Sequence, residues 1–145
     1  MCRYATDGNG FAESKATLAK GSLRQMNQSS AEYAPIGDGQ YHFFTVNIPE
    51  GAKDIRIDLQ SEYSGNLFLA LRKAGSAWLT DADYLLVQPG ASKTLRLDTL
   101  QAGDWSLSVF CPDLPKATVS NGRYNYSGNT IPVKGVEYSI KVDWD

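Results

Sequence analysis

The 145-residue sequence contains few of the side chains on which most catalytic and metal sites depend. Its one histidine is His42, and its two cysteines, Cys2 and Cys111, have none of the spacings of a zinc site. A Ser-His-Asp or Cys-His arrangement would have to use His42 as its base. No Gly-x-Ser-x-Gly, His-Glu-x-x-His or Walker sequence is present. We therefore expect a protein that is not an enzyme, in which His42 is a structural residue at the start of a strand.

Strong net charge and long apolar segments are also absent. Fourteen basic and sixteen acidic side chains give a formal net charge of -2, which lacks the basic character of nucleic-acid-binding proteins. No apolar run is long enough to span a membrane, and residues 1–7 show no signal-peptide pattern. We expect no nucleic-acid partner and no membrane span. Composition alone leaves open a cytosolic protein and a piece of a longer secreted chain.

The two cysteines allow two interpretations. Cys111 continues the inward parity of the strand that precedes it, which favours a buried free thiol. The alternative is a disulfide between Cys2 and Cys111, which would close a long loop and could stabilise the fold by up to about 4–5 kcal/mol. The sequence leaves both interpretations open.

The clearest pattern that is present is a two-residue alternation in the segment 102–109, Ala-Gly-Asp-Trp-Ser-Leu-Ser-Val. Trp105, Leu107 and Val109 are apolar, whereas Ser106 and Ser108 between them are small and polar. Such alternation is typical of a strand with one face on a core and the other in water. We expect Trp105 to lie in that core, and the same parity places Trp144 there.

The same alternation recurs at regular intervals along the chain. Turn signals such as Pro49-Glu50-Gly51, Ser64-Gly65-Asn66 and Pro89-Gly90 separate the alternating segments. These segments are residues 41–48, 55–60, 67–72, 84–87, 95–98, 104–111 and 138–144. Many short strands without a long amphipathic helix predict an all-β protein, an antiparallel β-sandwich of jelly-roll-like form.

The ends of the pattern are less regular. Residues 1–40 are weakly patterned, and we assign 1–15 to an extension or linker and 16–145 to the sandwich domain. Residues 16–20 could form a short helix or a strand, with Leu18, Leu23 and Met26 as apolar anchors. Residues 112–134 form a long connection that contains three prolines.

Two loops could bind calcium, which prefers six to eight oxygen ligands. Asp81 and Asp83 share one loop, and we take them as the candidate metal ligands. The segment Asp7-Gly8-Asn9-Gly10 resembles half of a calcium loop but lacks its upstream Asp and closing Glu. We expect no other cofactor.

Aromatic side chains outside the inward rows are the better indication of a ligand site. Trp78, Tyr124 and Tyr126 lie in or beside predicted loops, and Phe68 and Phe110 have outward parity. Exposed aromatic rings stack on sugars and are frequent at protein-binding hot spots. We take Trp78, Tyr124 and Tyr126 as candidate ligand-binding residues. The alternative is that these rings cover the ends of the sandwich.

The order and spacing of several segments resemble the bacterial pre-peptidase C-terminal domain, a small accessory β-sandwich of secreted proteases. The resemblance covers roughly residues 16–144, and one position departs from it: Asn66 stands where many members have an acidic residue. The segments that carry the resemblance are 21–23, Tyr41–Ala52 (YHFFTVNIPEGA), Gly65–Arg72 (GNLFLALR), Ala102–Val109 (AGDWSLSV) and Glu137–Trp144 (EYSIKVDW).

The resemblance implies a non-catalytic accessory domain of a secreted or cell-surface bacterial enzyme, a peptidase in particular. Such a domain would bind a protein or polysaccharide substrate of the parent enzyme, or stabilise that enzyme. We expect it to act as a monomer. The alternative function is a carbohydrate-binding module of a glycan-degrading system.

Overall fold

The computed structural model describes residues 16–73, 75–113, 116–127 and 135–145. These residues contain eleven strands and one short 3₁₀ helix, Ala31–Tyr33. The strands are β1 Ala16–Thr17, β2 Arg24–Met26, β3 Tyr41–Ile48, β4 Lys53–Gln60, β5 Phe68–Arg72, β6 Tyr84–Leu86, β7 Lys93–Thr99, β8 Gly103–Phe110, β9 Lys116–Ser120, β10 Arg123–Ser127 and β11 Tyr138–Asp143. No helix in these ranges is long and apolar enough to cross a membrane.

Two sheets form the body of the fold, as the alternation predicts. The five-stranded sheet has the order β1-β3-β8-β5-β6, and the four-stranded sheet has the order β2-β11-β4-β7. All neighbours are antiparallel except β1 and β3, which run parallel. The chain crosses repeatedly between the sheets, because β3, β5 and β8 lie in one and β4, β7 and β11 in the other. The predicted jelly-roll-like sandwich is confirmed.

The core lies between the two sheets and contains the inward row of each long strand. Both core tryptophans are confirmed, with Trp105 4% exposed and Trp144 8% exposed. Fully buried members of the core include Phe44, Val46, Ile48, Ile55, Ile57, Leu59, Leu69, Leu71, Leu107, Val109, Ile140 and Val142. Burial of apolar surface stabilises a fold by roughly 25 cal/mol per Å², so these rows dominate the energetics of the domain.

Cys111 continues the core directly after β8. Its thiol is free and fully buried, and burial raises the pKa of the thiol to about 11. A thiol with so high a pKa is unreactive at neutral pH. Cys111 therefore behaves as a small apolar side chain, while Cys2 lies outside the described residues.

The start of the domain differs in part from the sequence prediction. Residues 16–17 form a strand beside β3, and Leu18 and Met26 are buried as expected. Leu23, however, is 55% exposed, so its assignment as an apolar anchor is wrong. Leu23 precedes the short edge strand β2 and does not belong to the inward row that contains Met26. So close to the edge of the sheet, its side chain is left uncovered. The predicted extension 1–15 lies outside the described residues.

The long connection after β8 contains a β-hairpin that the sequence analysis does not predict. Strands β9 and β10 pair in antiparallel register, with Ser120 opposite Arg123. The two residues between them, Asn121 and Gly122, have φ angles of 53° and 75°. An Asn-Gly pair with positive φ at both positions is the preferred two-residue hairpin turn. The signal was present in the sequence, because residues 116–120 (KATVS) and 123–127 (RYNYS) alternate between polar and apolar or aromatic residues on either side of the Asn-Gly pair.

His42 lies inside the sandwich and forms a buried hydrogen bond across the two sheets. Its Nδ1 is 2.6 Å from the hydroxyl of Tyr138, which begins β11. Burial, together with the nearby positive charge of Arg24, lowers the pKa of His42 to about 4. The imidazole is therefore neutral at pH 7, and its Nδ1 can accept a hydrogen bond from the Tyr138 hydroxyl. His42 is 7% exposed, which confirms that it lies on the core face.

The buried histidine predicts a loss of stability in mild acid. The pKa of His42 falls from 6.5 to about 4 on folding, so the unfolded chain binds its proton first as pH decreases. The free energy of unfolding should therefore decline as pH falls through this window, by about 3 kcal/mol in total from this residue. Urea unfolding at a series of pH values would measure the decline.

The matched control for this effect is His42→Gln, which keeps a hydrogen-bond acceptor near Tyr138 but does not titrate. Both proteins contain the same carboxylates, so subtracting the two pH profiles removes their contribution. The remaining difference belongs to His42, because it is the one histidine of the chain. Equal slopes between pH 4 and 6.5 in both proteins would contradict the assignment.

Candidate functional site

Trp78 lies in the loop between β5 and β6, and this loop folds back over the outer face of the five-stranded sheet. The backbone N–H of Ala77 donates to Ser106 Oγ at 3.0 Å, and that of Leu79 donates to Tyr41 Oη at 3.2 Å. Trp78 and Asp81 exchange backbone hydrogen bonds of 3.1 and 3.0 Å. These contacts hold Trp78 against the sheet, where it is half-buried.

Five rings form what we call the aromatic face: Tyr41, Phe43, Phe68, Trp78 and Phe110. The Trp78 ring meets those of Tyr41 and Phe43 edge-on, with centroids 5.0 and 4.9 Å apart. Tyr41 and Phe110 are paired in register, with ring centroids at 4.4 Å. Phe68 lies beyond Phe110 at 6.5 Å. The outward parity predicted for Phe68 and Phe110 is confirmed by this arrangement.

The centre of the same sheet face is small and polar. Ser106 and Ser108 on β8 are 6% and 1% exposed although they point away from the core. Ser106 accepts the Ala77 hydrogen bond, whereas within the described residues Ser108 Oγ has no hydrogen-bond partner. The outer face is therefore partly covered, and the rings around its small centre are only partly available to a ligand.

The two aspartates proposed as metal ligands are each held by a protein donor. The Asp81 carboxylate is 2.9 Å from the Arg72 guanidinium, and Asp83 accepts the backbone N–H of Lys73 at 2.9 Å. Within the described residues no three His, Cys, Asp or Glu side chains are grouped as a metal site. Calcium binding at Asp81 and Asp83 remains a prediction, and the segment 7–10 lies outside the described residues.

The other two candidate aromatics lie in the hairpin. Tyr124 is opposite Val119, and Tyr126 is opposite Ala117 in the β10–β9 register. The two tyrosines are therefore two residues apart on one strand of the hairpin. Their role with Trp78 stays a prediction.

Asp113 forms a polar centre at the end of the sandwich that the sequence analysis does not single out. Its Oδ2 accepts from Tyr63 Oη at 2.6 Å and from the Asn66 backbone N–H at 2.8 Å. Its Oδ1 accepts from Asn66 Nδ2 at 3.1 Å, and Asn66 Oδ1 accepts from Gly90 N–H at 2.9 Å. Burial opposes ionisation of Asp113, but the hydrogen bonds from Tyr63 and Asn66 outweigh it and lower its pKa.

Lys93 is a second unpredicted feature at this end. It begins β7 opposite Leu59, shares the inward parity of Leu95, and is 2% exposed. Its Nζ donates to the Gly90 carbonyl, and burial lowers the pKa of its ammonium group. Lys93 therefore fills the end of the core with its aliphatic stem while its amine closes the β6–β7 turn.

A cleft of about 590 Å³ opens beside Tyr63 on the four-stranded sheet. Gln25 on β2, Ser139 on β11 and Gln60 on β4 lie in one row across the strands, because Ser139 pairs with both glutamines. We call this the polar cleft; the rest of its lining is Asn27, Ser61, Glu62, Tyr63, Ser64, Gly135, Val136, Glu137 and Tyr138. Outward parity in the sequence marks Gln60 and Ser139, whereas Gln25 lies in the weakly patterned residues 1–40. The register that aligns the three residues does not follow from parity.

The fold and the site define a small two-sheet β-sandwich domain with an aromatic face and a polar cleft. Among solved structures, this fold is similar to the pre-peptidase C-terminal domain of a collagenase from Bacillus anthracis. The TM-score is 0.55 at 12% sequence identity, and the match covers 89% of this chain and 94% of that domain. No family model matches the sequence. No curated protein matches it either.

This similarity confirms the resemblance to the pre-peptidase C-terminal domain at the level of the fold. An identity of 12% shows a shared architecture and does not transfer individual ligand residues. Asn66 illustrates the point, because it is engaged with Asp113 and Gly90 in this chain.

Gly65→Ala should disrupt the Asp113 centre. A Cβ at position 65 would lie 2.2 Å from Asp113 Oδ2 and 2.3 Å from Tyr63 Cζ, so one of these groups must move. We expect a destabilisation of roughly 1–3 kcal/mol from overpacking and broken hydrogen bonds. Thermal unfolding of the variant would measure it. The control is Ser64→Ala at the exposed neighbouring position; equal stability of the two variants would contradict the predicted contact.

Proposed function

We propose that the protein is a non-catalytic accessory domain of a secreted or cell-surface bacterial enzyme, a peptidase in particular. The observation that supports this most is the mutual coverage of the structural match, 89% of this chain and 94% of a domain described as part of a collagenase. The chain therefore corresponds in extent to an accessory domain. Such a domain would hold the parent enzyme on a protein or polysaccharide substrate, or stabilise it.

The aromatic face supports a binding role, and we propose Trp78 as its main ligand contact. The Trp78 ring is fixed edge-on to two other rings, so little side-chain entropy remains to be lost when a ligand binds. Tryptophan and tyrosine are among the side chains that most often dominate binding energy. Tyr124 and Tyr126 are proposed to extend this surface from the hairpin.

A second candidate function is a carbohydrate-binding module. The observation that favours it is the polar cleft, which offers amide and hydroxyl groups in a row on a rigid sheet. Both candidates are binding functions on one scaffold, and they differ in the surface that contacts the ligand.

Replacing Trp78 with Ala should weaken binding to the substrate matrix of the parent enzyme by about tenfold or more, as expected for a hot-spot aromatic. Co-sedimentation of the purified chain with insoluble collagen, elastin, chitin and cellulose would measure the bound fraction. Because Trp78 packs on Tyr41 and Phe43, we also expect some loss of stability. Trp78→Phe preserves most of the packing. Its thermal stability should therefore stay close to that of the wild type, while its affinity for the matrix should fall.

The matched control is Leu23→Ala, which removes an exposed apolar side chain from a different part of the surface. Wild-type affinity in this control together with weak binding by Trp78→Phe would support the aromatic face. A folded Trp78→Phe variant that binds as tightly as the wild type would contradict it, and failure of the wild type to bind any matrix would argue against a binding role.

A further inference from the structure

We propose that the polar cleft binds a neutral polysaccharide chain across the strands of the four-stranded sheet. This inference rests on the proposed binding function but assigns it to a surface on the sheet opposite the aromatic face. The cleft volume of about 590 Å³ falls within the range of small-molecule binding sites, roughly 300–1,000 Å³. It lies on the outer face, where Gln25, Ser139 and Gln60 align in register.

The hydrogen-bonding groups of the row match those of a sugar. An amide side chain offers two donor hydrogens and an acceptor oxygen, and a hydroxyl group both donates and accepts. The hydroxyl groups of a sugar ring likewise donate and accept. Gln25 and Gln60 are exposed, and Ser139 lies between them on β11. Gln25 Oε1 accepts from Asn27 Nδ2 at 3.2 Å, so Gln25 offers a sugar chiefly its two amide hydrogens. Successive strands are about 4.8 Å apart, so the row presents a regular series of such groups across the sheet.

Residues 61–63 form the side of the polar cleft next to Gln60. Contacts that do not involve the row of Gln25, Ser139 and Gln60 hold them in place. Ser61 Oγ donates to the Glu137 carbonyl at 2.7 Å, and the Ser61 backbone N–H donates to Ser92 Oγ at 3.2 Å. Tyr63 lines the cleft, and its hydroxyl is fixed by Asp113 at 2.6 Å. A ring fixed at its far end offers an apolar surface for a pyranose without further ordering.

The charge of the cleft selects against acidic glycans. Among its described lining residues the charged side chains are Glu62 and Glu137, and both are acidic. Farther along the same face, Arg56 is paired with Asp54 at 2.6 Å and with Asp143 at 3.5 Å, and Lys141 lies opposite Asp58 in the strand register. A sulfated or uronic-acid chain would be repelled by these two carboxylates and would find no cation in the described lining, whereas an uncharged chain would meet no such repulsion.

The same lining is poorly suited to a peptide. Peptide grooves supply apolar pockets for side chains or a free strand edge for main-chain pairing. Apart from the partly exposed ring of Tyr63, the apolar members of this cleft are Val136 and Tyr138, which are 1% and 4% exposed. The row crosses the sheet, and two of its three strands, β11 and β4, are paired on both sides. The observations therefore favour a sugar chain.

The experiment is an NMR titration of the ¹⁵N-labelled chain with neutral hexasaccharides of glucose, mannose, xylose and N-acetylglucosamine. A heparin hexasaccharide and a triple-helical Pro-Pro-Gly peptide serve as the acidic and peptide probes. We expect at least one neutral sugar to shift the backbone signals around Ser139 and the side-chain amide signals of Gln25 and Gln60. Gln60→Ala and Ser139→Ala should each lower that affinity by roughly three- to tenfold.

The matched control is Gln101→Ala, which removes an exposed glutamine at the opposite end of the sandwich and should bind as the wild type does. Shifts that occur only with heparin or only with the peptide would overturn the proposal, and so would the absence of any shift with the neutral sugars. Shifts from a neutral sugar that centre on Trp78 would overturn the cleft as the site while leaving the proposed function intact.

Discussion

The burial of one side-chain row from each strand between two sheets is the constraint on which the rest of the structure depends. Inward rows from β3, β5 and β8 meet those from β4 and β11, and most of these side chains are almost fully buried. A register shift of one residue would turn an entire row towards solvent, so the energetic cost of exposure fixes the register. The same choice also fixes which side chains each outer face presents, including Tyr41, Phe110, Gln60 and Ser139.

Both candidate surfaces lie towards the end of the sandwich opposite the turn between β3 and β4. Tyr41 and Phe110 occupy the paired ends of β3 and β8, while Gln60 ends β4 and Ser139 is near the start of β11. The chain crosses between the sheets at this end. Backbone N–H and C=O groups beyond the end of a β-strand no longer pair with a neighbouring strand and need other hydrogen-bond partners. The Asp113 carboxylate accepts the backbone N–H of Asn66 and also fixes the Tyr63 hydroxyl. The contacts that close the fold therefore also fix the walls of the polar cleft.

Much of the fold could be predicted because the long strands have alternating sequences. The parity of β3, β4, β8 and β11 follows from local residue types, and their inward rows are buried as expected. The prediction was wrong for Leu23, where a short edge strand provides little burial. It omitted the β9–β10 hairpin, although the Asn121-Gly122 turn and the alternation on either side of it are clear local signals; the three prolines of residues 112–134 favour a loop.

The candidate sites, like the fold, could be predicted only in part from the sequence. The sequence by itself determined that Trp78 lies in a loop, that His42 faces the core, and that Gln60 and Ser139 point outward, since these properties depend on neighbours a few residues away. Only the tertiary structure decided that Trp78 packs on Tyr41, and that the cleft residues align across three strands. Cross-strand register and loop docking arise from contacts between distant residues, whose geometry is set by the packing of the whole core rather than by local periodicity.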